Sequence, residues 1–317
     1  MPTATPAKTL GFGYALAVVQ AVLYAMMGII GKYLYFTGLN PQQAIVLRFT
    51  MTFLILGAFL LIRRKQPLFS RNPLVYVQGV FFMGSALFYF LAVDETTAGL
   101  ATALLYAYPA VVALLSTVVF KERFTLKIAT AVILALAGIF AISGVMPGTI
   151  ALSPVGVLYG VASCLAFAVC TVIGQKVVEK DEPLTITFSM TTVGVVILLA
   201  LFPATFPDML HLTPLQLGLG ASMAVFTTIL PVVALLVSIR IIGATKASLI
   251  STSETPFSLL FAYLNLGEVL TISQGIGCAL IVASILAATM PSKRRILEMA
   301  KRDANGKDGA GGADAGA

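Results

Sequence analysis

Glu254 and Pro256 open the stretch "ETPFSLLFAYLNLGE", residues 254–268, and put a carboxylate and a helix breaker inside a long apolar run. Such a carboxylate could bind an amino group, or pick up and release a proton. It could equally be a neutral buried acid or a structural partner of Lys32 or Arg48. An acid near the middle of a bilayer costs at least about 3 kcal/mol on insertion scales, which favours a functional reading. Pro256 removes a backbone hydrogen bond two residues further on. "AYPAVVALLSTVVFKE", residues 107–122, has the same outline, with Pro109 for Pro256 and Glu122 for Glu268. Prolines at such points serve as hinges or gates, or simply as kinks. Glu122 and Glu268 fall at helix ends as matched structural groups or gates.

Other polar and aromatic residues gather into stripes at helical spacing. One stripe holds Gln20, Tyr24 and Gly31, and another Gln78, Phe82, Ser85 and Tyr89. Thr102, Tyr106 and Pro109 form a third. Cys164, Thr171 and Gln175 share a face, as do Ser251, Glu254, Ser258 and Asn265. In hydrocarbon a polar group must face protein or water, so each stripe either lines a cavity or joins two helices. An aromatic lining of Tyr24, Tyr89 and Tyr106 suits apolar, aromatic or cationic ligands. Arg48 and Lys32 are charge partners, interfacial anchors, or attractors of a ligand carboxylate.

Several chemistries lack the residues they need. Cys164, Cys170 and Cys278 lie singly in apolar segments and His211 is the only histidine, so no metal set or disulfide framework is expected. No GxxxxGK[ST] stretch offers a phosphate cradle, and no cofactor is implied. The +7 net charge points away from nucleic acid once the placing of the cations is considered.

The elements that must position these residues are membrane spans. The chain has 317 residues, 59% hydrophobic and 10% charged, with mean hydropathy +0.99; a soluble domain carries about 25% charged residues. An all-α membrane protein is expected, in contact with the lipid bilayer. Runs of about 20 apolar residues occur ten times, at 11–35, 42–62, 74–93, 97–119, 125–145, 152–176, 184–206, 215–239, 245–266 and 270–290. The first is too long for the core of a cleaved signal peptide. With the N-terminus in the cytoplasm, every Lys and Arg except Lys32 and Arg48 falls in a cytoplasmic segment, so both termini are expected there. Residues 1–10 form an N-terminal tail. Residues 291–317 are a basic segment, lying on the anionic leaflet or in solvent, followed by a Gly/Ala-rich disordered end.

The matching stretches extend into an internal repeat, 11–146 and 152–290. Pro109 pairs with Pro256, Gly13 with Gly156, Tyr24 with Phe167, Gly31 with Gly174 and Pro41 with Pro183. Each half holds five runs, an odd number, so the halves would be inverted relative to each other, as in transporters that alternate access around a midplane site.

In these features the chain resembles the drug/metabolite transporter superfamily, in its ten-helix EamA-type exporter branch. "LNPQQAIVLRFTMTFLILGAFLL" is similar to the family's second helix. "FFMGSALFYFLAVDETTAGLATALLYAYPAVVALLSTVVFKERFTLKIATAVILALAGIFAI" is similar to its third to fifth helices, and Lys32 holds the family's basic position at the end of helix one. The likeness covers residues 11–290. The second half departs from it, with Gln175 for the basic residue and Met190 where Arg48 would repeat, and the chain has no Trp. The resemblance implies six helices around a central cavity, with substrate contacts at Gln20, Tyr24, Gln78, Phe82, Ser85, Tyr89, Thr102, Tyr106, Cys164, Phe167, Thr171, Ser251, Glu254 and Ser258. It implies a bacterial inner-membrane exporter of small metabolites, with amino acids, including aromatic ones, as the favoured class. A proton-coupled drug or cation exporter using Glu254 is the second reading, with proton exchange, and a monomer or a homodimer, both left open. A membrane enzyme lacks its motifs here, and a receptor has less need of the repeat.

Overall fold

The computed structural model describes residues 7–144, 153–267 and 271–289, and over them every regular element is helical. The elements in the first half are α1 (Ala7–Phe36), α2 (Pro41–Arg63), α3 (Pro73–Glu95), α4 (Ala98–Leu105), α5 (Tyr108–Val119) and α6 (Leu126–Ser143). Then come α7 (Pro154–Val177), α8 (Pro183–Leu201), the short α9 (Thr205–Asp208) and α10 (Pro214–Ala224). A π-helical turn, Val225–Ile229, joins α10 to α11 (Leu230–Ile242), and α12 (Ala244–Ser251), α13 (Glu254–Leu266) and α14 (Ile272–Thr289) follow. The expected tails, the connection at 145–152 and Glu268 lie outside the described residues.

Helix starts follow from local chemistry. Pro41, Pro73, Pro154 and Pro214 each occupy the first helical position behind a capping side chain, from Asn40, Asn72, Ser153 and Thr213. Proline's missing N–H is harmless there, and the cap satisfies a free amide further in. Asn40 with Gln43, and Thr213 with Gln216, close reciprocal capping boxes.

Among the described residues, nine helices are long and apolar enough to cross a membrane. Ten runs were expected, and the difference is the run 245–266. It is broken at Thr252–Ser253 into α12 and α13, of 8 and 13 residues, each too short to cross alone. The run 97–119 is broken at the corresponding place into α4 and α5, of 8 and 12 residues, yet counts among the nine as Gly99–Val119, so it is the more polar make-up of 245–266 as well as the break that sets that run apart.

The main core cluster draws on α1, α3, α5, α7, α8, α11 and α12, around Tyr24, Tyr108, Met190 and Leu236. The tightest pairings are α3 with α7, α6 with α14 and α1 with α11. Gly13 and Gly156, matched in the sequence, both sit at close crossings: Gly13 against Ile241 and Ile242, Gly156 against Glu95 and Thr96. Between α6 and α14, Ser284 donates to the Ala131 carbonyl at 2.6 Å. A Cβ on Gly138 would stand 2.8 Å from the Gly277 carbonyl oxygen. The offset that carries α4 onto α12 exchanges these two contacts. Large apolar side chains such as Ile62, Val118 and Leu126 face outward, as lipid requires.

Candidate functional site

Three prolines shape the interior. A helical carbonyl is normally taken by the N–H four residues on, and proline has none. Pro109 therefore leaves the Leu105 carbonyl without its usual donor, and Pro256 does the same to Thr252. The chain responds by tightening. Ala107 N–H bonds to Leu104 O at 3.2 Å and Ala110 N–H to Ala107 O at 3.0 Å, while Ser253 N–H bonds to Ile250 O at 2.9 Å and Thr255 N–H to Thr252 O at 3.2 Å. Helices α5 and α13 thus begin inside the protein.

Glu254 is the first residue of α13, half-buried, where the helix N-terminus favours negative charge. Its carboxyl lies near the Tyr106 side chain and within the field of Arg48. Beside it, Ser251 donates to Gln20 Oε1 at 2.6 Å, joining α12 to α1. The Tyr89 and Thr102 hydroxyls lie 3.0 Å apart. The Tyr108 ring meets Phe167 edge-on with centroids 4.6 Å apart, and its hydroxyl donates to Ser248 O at 3.4 Å.

Arg48 reaches into the protein. Its Nη2 donates to the Thr227 carbonyl at 2.6 Å and its Nε to Thr228 Oγ1 at 2.7 Å, while Nη1 lies 2.9 Å from Met27 Sδ. The reason is Pro231, the third proline. Thr227 stands four residues before it, so its carbonyl loses its helical donor, and the guanidinium supplies one. The π-helical turn falls at this same point. The side chain of Lys32 is half-buried just before the last turn of α1.

A small cavity, with room for about one water-sized group, lies between α1, α3, α7, α8 and α11. Tyr24, Gln78, Phe82, Phe167 and Thr171, all expected from the sequence, line it together. Cys170, Met190, Val232, Leu235, Leu236 and Ile239 complete the wall and were not anticipated. Cys164 is buried in the core cluster beside this group. Ser85 bonds across α3–α7 to the Ser163 carbonyl at 3.0 Å, so its hydroxyl joins two helices. Ser258 is half-buried on α13, one turn beyond Glu254.

At the end of the bundle that carries most of the basic residues, two polar clamps join neighbouring helices. In one, Glu122 accepts from Gln175 Nε2 at 3.3 Å and from Thr245 Oγ1 at 3.0 Å, while Gln175 Oε1 accepts from Ala244 N–H at 2.6 Å. Gly243, with φ +84°, makes the turn that brings this amide round. In the other, Asp181 accepts from Ser70 Oγ at 2.8 Å and from Asn72 Nδ2 at 3.2 Å, and Arg240 donates to the Val178 and Asp181 carbonyls at 2.6 and 2.7 Å. Sequence reasoning singled out Glu122 and Gln175 but not their meeting. Tyr108 and the Thr227–Thr228 pair were missed, although each lies within four residues of a proline.

A model of the EamA-like transporter family matches residues 11–144 and again residues 154–290. An uncharacterized transporter of Archaeoglobus fulgidus is 27% identical over 281 residues, covering 89% of this chain and 97% of that protein. An uncharacterized inner membrane transporter, YicL, of Salmonella typhimurium is 24% identical over 290 residues, covering 88% and 95%. A crystal structure aligns with a TM-score of 0.74 at 18% identity, over 87% of this chain and 96% of that one, a likeness of fold.

Proposed function

This chain belongs to the EamA-like transporter family, and we propose that it exports amino acids across a bacterial inner membrane by alternating access. The observation that carries the reading is Glu254: a carboxylate at the start of a helix that begins inside the protein, among Tyr106, Ser251 and Gln20. It takes the substrate ammonium. The aromatic wall of Tyr24, Phe82, Phe167, Tyr89 and Tyr106 takes an apolar side chain, and Thr102, Thr171, Gln78, Cys164, Ser85 and Ser258 complete or brace the surround. Arg48 and Lys32 set the charge balance.

The basic end faces the cytoplasm, together with both termini. The chain crosses ten times as two inverted five-helix repeats, the tenth crossing being α12 and α13 together. Substrate enters when the Glu122 and Asp181 clamps part. The half-helices then rock about Pro109 and Pro256 to open the other side. No nucleotide takes part, so the gradient of substrate or of protons drives the cycle.

Counterflow of labelled amino acids in proteoliposomes tests this. Wild-type protein should exchange them, and Glu254→Gln should lower exchange at least about tenfold at every pH, as loss of a charged hydrogen bond implies. Wild-type rates for a well-folded Glu254→Gln variant would remove Glu254 from the mechanism. The ring of tyrosines around a carboxylate also favours a second reading, a proton-coupled exporter of lipophilic cations. There, Glu254→Gln abolishes pH-driven exchange of a cationic dye and spares substrate-for-substrate exchange.

A further inference from the structure

Gln78 carries a feature that the transport reading leaves unused. Its side chain is only 3% exposed, it lines the small cavity between α1, α3, α7, α8 and α11, and its Oε1 has no hydrogen-bond partner. Its amide nitrogen is turned toward Cys170 and Gly174, which leaves the carbonyl as the free atom. A buried acceptor without a donor is costly, and native interiors rarely tolerate one without a use. Among the other polar groups on the wall, Tyr24, Cys170 and Thr171, the Thr171 hydroxyl already donates to the Phe167 carbonyl at 2.8 Å, and neither the Tyr24 hydroxyl nor the Cys170 thiol is bonded to Oε1. The remaining wall is apolar or aromatic, including Phe82, Met190 and Leu236. The space beside Gln78 holds about one water-sized group, which is also the size of an O–H or N–H tip.

From the orphan acceptor and this apolar, tip-sized space, we infer that Gln78 selects substrates with an apolar body ending in a single hydrogen-bond donor, such as a phenol or an indole. The donor completes the Gln78 carbonyl, and the body lies against Phe82 and Phe167. A ligand of the same shape without the donor leaves Oε1 orphaned, and sites built around a substrate hydroxyl discriminate by that difference. The inference rests on the chamber proposed above but not on the amino-acid identity of the substrate.

Two matched pairs of probes test it: tyrosine against phenylalanine, and tyramine against phenethylamine. Competition for uptake in proteoliposomes and ligand-induced thermal stabilisation of the purified protein are the two readouts. Wild-type protein should prefer the hydroxylated member of a pair at least about fivefold, the range a hydrogen bond to a buried acceptor supplies. Gln78→Met, which keeps the length and removes the acceptor, should bring the ratio near one, and Gln78→Glu, which keeps an acceptor, should retain the preference. Equal treatment of both members by wild-type protein, or an unchanged ratio in Gln78→Met, overturns the inference. So does failure of both hydroxylated probes to bind. Preference within the tyramine pair alone keeps the role of Gln78 and discards the amino-acid reading.

Discussion

At the scale of single residues, the bond from Arg48 to the Thr227 carbonyl replaces the N–H that Pro231 lacks. A prediction follows from that substitution of donors. Arg48→Ala should lower stability by about 1–3 kcal/mol, the cost of a buried acceptor left open. In a Pro231→Ala background the cost should shrink, because residue 231 then has an N–H to offer. Thermal unfolding of the four proteins in detergent gives the double-mutant cycle; costs that simply add would show that the guanidinium is not standing in for the missing amide. The sequence contained both residues but not their relation. Arg48 and Thr228 are 180 positions apart, and only the packing of α2 on the π-helical turn brings them within 2.7 Å. Gln78 was legible because its stripe was. Its unpartnered oxygen was not, since that depends on which atoms of α7 face it.

Whole elements were easier to read than contacts, since they are set by local chemistry: Asn40–Pro41, Asn72–Pro73, Ser153–Pro154 and Thr213–Pro214 mark helix starts before any packing is considered. The breaks were legible as prolines, but they fall two to four residues upstream of Pro109 and Pro256, where the lost donor is felt. The α6–α14 pairing was not legible at all, because Gly138 and Gly277 look like any helical glycines. It gives a sharp contrast. A Cβ on Gly138 meets the Gly277 carbonyl and Ile281, whereas one on Gly28 meets nothing within 4 Å. Gly138→Ala should destabilise by about 1–3 kcal/mol, as overpacking does, and Gly28→Ala should stabilise by about 0.5–1 kcal/mol through helix propensity. Equal effects in thermal unfolding would mean that α6 and α14 do not approach so closely.

At the scale of the whole molecule, the distribution of Lys and Arg predicts which end faces the cytoplasm. Lys65 and Lys180 are exposed at the basic end, and His211 is exposed at the other. In a cysteine-free background, Lys65→Cys and Lys180→Cys should react with an impermeant thiol reagent only from the cytoplasmic side, and His211→Cys only from outside. The reverse pattern would overturn the direction of export. Ser70 would be a poor reporter, since it is buried and bonded to Asp181.

The crossed contacts of Ala131 with Ser284 and of Gly138 with Gly277 also bear on how such a chain can change over generations. A bulkier residue on either helix must be answered on the other, so this seam resists drift in both copies at once. Elsewhere some matched positions of the two halves carry different residues. In sequence Lys32 corresponds to Gln175, which clamps the basic end through Glu122, and Arg48 to Met190, which lines the small cavity. Each half matches the same family model, so under the inverted-repeat proposal a frame held alike in both halves leaves the lining free to differ, and the two sides of one pore can be specialised separately.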